Sequence, residues 1–224
     1  MTDLFAPLQM LLDTRHSCRA FRPDPVSEEV IERIVIAAAR APSWCNAQPW
    51  QVTVTRGAET DRFRAALLDA VAHEAPQPDL PWPESYPGPH GVRRRACGLQ
   101  LYEAVGIARS DRTARAEQSM RNYHLFDAPH VAIIHSEAAL GPYGAMDTGG
   151  FVTVFMLAAT ALGVGSIAQA SVAAHAPMIR RHFDLPESRL VLCAISFGLP
   201  DPEHPANRFR TDRADLSEIY DPRG

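Results

Sequence analysis

From Thr148 to Ala174 the chain carries no charged side chain, and no other feature restricts its fold so strongly. As one unbroken helix this run would be long enough to cross a bilayer. Gly163 and Gly165 interrupt it, and after them the pattern changes to the strand-like Ser166-Ile167-Ala168-Gln169. The expectation is a buried helix, a sharp turn and a buried strand, with no membrane span. The glycines would let the chain turn out of the helix and approach a neighbour closely. Gly163, Gly165 and Ala168 also fit the spacing of a dinucleotide fingerprint, but in reversed context. That fingerprint follows a strand and opens a helix, whereas this one follows a helix and leads into a strand.

The neighbouring segments alternate helix and strand. Ser27 can cap a helix that opens on Glu28 and Glu29 and aligns Val30, Ile31, Ile34, Val35 and Ala38, with Pro42 as its end. Trp50, Val52 and Val54 alternate with Gln51, Thr53 and Thr55 as a half-buried strand. An amphipathic helix follows through Phe63, Leu67, Ala70 and Val71. Six prolines between Pro76 and Pro89, with Trp82 and Tyr86 among them, read as a lid or lining loop. Helical character returns over Arg93 to Arg109, and strands are expected at His130–His135 and Arg189–Phe197. After Gly198 a proline-rich tail has no room for a layer of its own and is expected to lie across another surface.

At 224 residues, with 46% hydrophobic and 21% charged residues, the chain is sized and composed as one soluble domain over 1–224. A net charge of −4 gives no footprint for nucleic acid or an anionic membrane. Leu4, Phe5, Leu8, Leu11 and Leu12 form a stripe broken by Asp3, Gln9 and Asp13, expected as a surface helix and not a signal peptide. Cys18, Cys45, Cys97 and Cys193 show neither disulfide nor zinc spacing, which points to a reducing cytoplasm. Cys45 is expected to be a buried, inert thiol. His124, His130 and His135 read as structural, and no metal site is expected.

Three segments carry chemistry. Arg15-His16-Ser17-Cys18-Arg19 places two guanidinium forks and a hydroxyl within five residues, a grouping suited to phosphate oxygens. Asn207-Arg208-Phe209-Arg210 repeats that theme far along the chain, so both pairs could close on one phosphate. The plain alternatives are a solvated basic turn and surface pairing to Asp212 and Asp215. Pro42-Ser43-Trp44-Cys45-Asn46-Ala47-Gln48-Pro49-Trp50 sets amides between tryptophans, as needed to read the polar edge of a flat heterocycle, or merely to tie down a turn.

Taken in order, Arg15-His16-Ser17-x-Arg19, Pro42-Ser43-x-x-Asn46-x-Gln48-Pro49-Trp50, Gly163-Val164-Gly165-Ser166 and Arg208-x-Arg210 resemble the FMN-dependent nitroreductase family, in wording closest to its nitrobenzoate reductase-like branch. The resemblance implies an α+β fold with a central mixed or antiparallel sheet flanked by helices. It also implies an intertwined homodimer whose tail, 199–224, embraces the partner, with residues 76–125 as an excursion or lid. The implied cofactors are FMN, with NADPH or NADH as reductant. Arg15, Ser17 and Arg210 would hold the phosphate with Arg208, His16 would be among the cofactor-binding residues, and Arg19 would sit near the flavin pyrimidine edge, where a cation stabilises the anionic reduced ring. Ser43 and Asn46 would border the flavin from the other subunit, supported by Gln48. Ala170 and Ser171 fall where the family aims backbone N–H groups at flavin N5 and O4, and Gln169 beside them would be a further cofactor-binding residue. Trp82, Tyr86 and Arg93 are candidates for the substrate side.

The implied activity is ping-pong reduction of nitroaromatics, such as nitrobenzoates, to hydroxylamines. Other two-electron reactions fit the same scaffold: dehalogenation, denitration, ene or quinone reduction, or oxygen-dependent flavin fragmentation. A flavoprotein that stores or senses FMN without turnover is the alternative outside catalysis.

Overall fold

The computed structural model of the chain describes residues 3–223. Four strands, β1 (Trp50–Val54), β2 (His130–Glu137), β3 (Gly165–Gln169) and β4 (Arg189–Gly198), form one sheet in the order β1-β2-β4-β3 with every neighbouring pair antiparallel. β2 is buried along nearly its whole length because both of its faces are covered. Ala132 and Ile134 join a core with Ile31, Ile34, Trp50, Phe151 and Phe155 on one side. Val131 and Ile133 join Phe63, Leu67, Leu125 and Ile179 on the other. The continuous apolar run of β2 is what a strand between two helical layers requires.

The first layer holds α2 (Glu28–Ala38) and α6 (Gly141–Ala161). Ser27 caps α2, its Oγ accepting from Val30 N–H at 3.4 Å. The uncharged run is indeed a helix, a turn and a strand, with Gly163 at φ +74° making the turn. Only Gly144, Thr148, Phe151, Phe155 and Ala159 of α6 are buried. Tyr143 and Met146, on other faces of the same helix, stand exposed. The second layer holds α3 (Ala58–His73) and α7 (Ala176–Phe183), the latter a short helix that the sequence pattern leaves unassigned.

The segment between these layers differs from expectation at its ends. Helix α4 spans Pro89–Ala104, starting at a proline rather than at Arg93. Proline is accepted in a first helical turn, where its missing N–H has no partner to lose. The chain then turns at Gly106, φ +72°, and a separate helix, α5, occupies Arg112–Met120. At the N-terminus α1 (Phe5–Thr14) buries no residue, and Leu4, Phe5, Leu8 and Leu12 stay exposed. The tail ends in one short turn of helix, α8 (Leu216–Ile219).

Candidate cofactor and substrate clefts

β3 is an edge strand, and the segment after α1 lies along it. Ser17 bridges Ser166 in parallel, and Cys18 N–H donates to Ser166 O at 3.0 Å. This close approach depends on Gly165, where a Cβ would stand 2.8 Å from Cys18 Sγ and 3.1 Å from Pro200 Cβ. The tail returns to the same place. Phe21 pairs with Pro200, and buried Asn207 donates from Nδ2 to Ala20 O at 2.9 Å and to Asp201 O at 2.8 Å.

These ties build a cleft of about 600 Å³ whose walls include Arg15, His16, Ser17, Arg19, Phe209 and Arg210, with Arg213 at its side. Arg15, Arg19, Arg210 and Arg213 have no salt-bridge partner among the described residues. Burial, and then the nearby Arg213, holds the Arg15 guanidinium below its ordinary pKa, and burial does the same to Arg19. His16 is pushed down by burial and by Arg210, Arg15 and Arg19. Its Nδ1 lies 3.1 Å from Thr14 O and so carries the hydrogen, while Nε2 is buried with no partner. Four unneutralised cations beside a free acceptor make a site for an oxyanion that also carries hydroxyl groups.

A second cleft, of about 770 Å³, opens beside the first and shares Arg19 and Cys97 with it. The lid segment contributes Pro83, Glu84, Ser85 and Tyr86, and α4 contributes Arg94 and Arg95. Arg19 therefore stands at the junction of a cationic cleft and a somewhat larger, partly aromatic one.

Known proteins are similar to this chain over nearly its whole length. The nitroreductase family model matches residues 12–199. The chain belongs to the nitroreductase family. It is 37% identical over 217 residues to nitroreductase NfnB of Mycolicibacterium smegmatis, covering 96% of this chain and 92% of that protein. It is 31% identical to a 4-nitrobenzoate reductase of Pseudomonas putida, covering 95% and 92%. The crystal structure of FMN-dependent NfnB from Mycobacterium smegmatis in complex with NADPH superposes with a TM-score of 0.94 at 36% identity, covering 99% of this chain and all of that one.

Within this nitroreductase, not every residue singled out in the sequence reaches the clefts. Arg208 pairs instead with Glu203 at 2.8 Å on the surface. Arg93 pairs with Glu218 of α8 at 2.7 Å, so its neighbours Arg94 and Arg95 face the second cleft in its place. Trp82 is exposed and lines neither cleft, whereas Tyr86 lines the second. Gln169 is buried with both ends of its amide used internally, Nε2 donating to Asn122 O at 2.8 Å and Oε1 accepting from Ser196 Oγ at 2.5 Å. These bonds tie the end of β3 to β4 and to the segment at Asn122. Beyond it, neither the Ala170 nor the Ser171 backbone N–H donates to another backbone group among the described residues.

Ser43, Asn46 and Gln48 lie before β1 and line neither cleft. Ser43 Oγ accepts from Gln48 N–H at 2.9 Å, and Cys45, Asn46 and Gln48 all take positive φ. This coil turns Cys45 outward, so the thiol is exposed rather than buried as expected. Asn207, named in the sequence only as a neighbour of the tail arginines, is buried and bonded to the segment that carries Arg19. An asparagine beside arginines gives no sign in sequence that it will be buried.

Proposed function

We propose that this chain is an FMN-dependent NAD(P)H nitroreductase that reduces nitroaromatic compounds, nitrobenzoates among them, to hydroxylamines. The observation that carries the reading is the convergence, from opposite ends of the chain, of Arg15, Ser17, Arg19 and Arg210 on one cleft, where Asp13 is the one carboxylate on the wall and none of the three arginines is salt-bridged among the described residues. FMN bound there supplies a relay for hydride between the nicotinamide and the nitro group.

Arg15, Ser17 and Arg210 hold the phosphate, and His16 Nε2 offers an acceptor to a ribityl hydroxyl. Arg19, at the junction of the clefts, sets a fixed positive charge where negative charge develops on reduction. The unpaired N–H groups of Ala170 and Ser171 are suited to the heterocycle edge. Tyr86 and the lid segment limit water over the second cleft, where reductant and acceptor take turns in a ping-pong order. Each two-electron stage, nitro to nitroso with loss of water and nitroso to hydroxylamine, would consume one NAD(P)H and take its remaining proton from solvent, so no dedicated acid and base pair is required.

The open apolar faces of α1 and α6 support a homodimer, in which Ser43, Asn46 and Gln48 complete the site of the partner and the tail crosses the interface. A cytoplasmic home agrees with four free cysteines.

The test is the visible spectrum of the purified protein, followed by anaerobic addition of NADPH or NADH and then 4-nitrobenzoate. A yellow protein that bleaches and regains its colour as hydroxylamine forms is expected, with parallel double-reciprocal lines for a ping-pong order. A colourless protein that cannot be loaded with FMN sinks the reading. A yellow one that never bleaches moves it to storage or sensing.

A further inference from the structure

The second cleft is cationic in a way that the flavin site does not account for. Arg94 and Arg95 of α4 and Arg115 of α5 line it, Glu84 is the one acid on its wall, and none of the three arginines has a salt-bridge partner among the described residues. Two of them are held by aromatic rings. The Arg94 guanidinium lies 5.0 Å from the centre of the Tyr86 ring, and that of Arg115 lies 5.0 Å from the Tyr102 ring. Stacking on a ring occupies the face of a guanidinium and leaves its N–H edge free to bond in plane. Arg115 NH1 donates to Arg109 O at 3.2 Å, while its buried Nε has no partner. Arg93 shows the contrast, since Glu218 already neutralises it. At about 770 Å³ the cleft is far roomier than a single nitroaromatic ring requires and lies in the range that encloses a large extended ligand.

We propose that Arg94, Arg95 and Arg115 form an oxyanion subsite that takes the 2′-phosphate of the nicotinamide reductant, making this enzyme selective for NADPH over NADH. The inference rests on the reading of the chain as a nicotinamide-dependent flavoenzyme and names which nucleotide it uses. A phosphate monoester carries close to two charges and three acceptor oxygens, which suit several guanidinium edges at once. A carboxylate on a nitroaromatic substrate carries one charge, and one arginine would satisfy it.

The experiment is calorimetric titration of the purified, FMN-loaded protein with adenosine 2′,5′-bisphosphate and, separately, with adenosine 5′-monophosphate, beside KM for NADPH and for NADH. Tighter binding of the bisphosphate by about tenfold or more is expected from charge-assisted contacts. Arg94→Ala with Arg95→Ala should erase that preference and raise KM for NADPH by about tenfold more than KM for NADH, with the flavin spectrum retained. Arg115→Lys, which keeps the charge but loses the fork, should give a smaller loss. Equal binding of the two nucleotides by the native protein overturns the proposal. It is also overturned if the double variant keeps its NADPH preference and instead loses affinity for 4-nitrobenzoate relative to nitrobenzene, which would assign the arginines to the substrate carboxylate. Failure to take up FMN would count against the reading above and is scored by colour, whereas nucleotide discrimination is scored by heat.

Discussion

The backbone N–H of Arg19 donates to Asn207 Oδ1 at 2.7 Å, joining positions 188 residues apart. With the two bonds from Asn207 Nδ2 to Ala20 O and Asp201 O, this side chain clamps the tail onto the segment that carries the arginines. Asn207, together with the Phe21–Pro200 pairing, holds the segments of Arg19 and Arg210 against one cleft. Asn207→Ala leaves a donor and two carbonyls without their partner in a buried place, at a cost of about 1–3 kcal/mol. FMN should also dissociate roughly tenfold more readily, since its phosphate loses a preorganised pair of walls. Thermal melts and flavin fluorescence on dilution measure the two effects, and an unchanged flavin affinity would separate Asn207 from the site.

The two tail arginines should behave differently. Arg210 lines the first cleft and spends its NH1 only on the carbonyls of Asn207 and Phe209. Arg208 is exposed and paired with Glu203. Arg210→Ala should therefore weaken FMN binding by about tenfold or more, an effect that added salt diminishes. Arg208→Ala should change it by no more than about twofold, as for a surface ion pair. Equal losses in the two variants would mean that Arg208 leaves Glu203 to reach the phosphate.

Gly165→Ala tests the close approach of β3 to the N-terminal segment. The added methyl would meet Cys18 Sγ at 2.8 Å, Cys18 Cβ at 3.1 Å and Pro200 Cβ at 3.1 Å, so the segment must shift. Destabilisation of about 1–3 kcal/mol is expected from overpacking. Cys18→Ala in the same chain should recover part of it, because the shortest contact disappears while the other two remain. A strictly additive double variant, read from urea melts, would show that the clash is relieved elsewhere.

How much of this is legible in sequence depends on whether a residue announces its partner. The glycines after α6 do so, because an uncharged run that must turn and pair again leaves few alternatives to helix, turn and strand. The strands β2 and β4 are visible as apolar runs too short for core helices. The arginine cluster can be assembled in outline, since cations in an acidic protein ask for an anion. The rotation of α4 cannot: successive residues point about 100° apart around a helix, so Arg93, Arg94 and Arg95 face three directions, and only packing decides which meets the cleft. Gln169 and Asn207 are hidden for a different reason. An amide bonds equally well to backbone, cofactor or water, and only burial reveals which it has chosen. Cys45 misleads because its positive φ, set by the coil before β1, is invisible in its identity.

The buried histidines make stability depend on pH. His130 Nε2 accepts from Val26 N–H at 3.0 Å and Nδ1 sits 3.1 Å from Thr55 O, a pattern that only the neutral ring satisfies. Burial pushes its pKa down, against the opposing pull of Thr55 O. For His135, burial and then Arg189 push the value down to about 4 from the ordinary 6.5. Below 6.5 the unfolded chain thus binds protons that the folded chain refuses. For His135 this stability is fully present above pH 6.5 and falls as pH drops from 6.5 toward 4, by at most about 1.4 kcal/mol per pH unit, and His130 adds to the loss in the same direction. Urea melts between pH 7.5 and pH 4.5 should show this decline, and His135→Asn should flatten it. A His135→Asn protein with an undiminished slope would place the titrating groups elsewhere, and His130→Asn would then be the variant to compare.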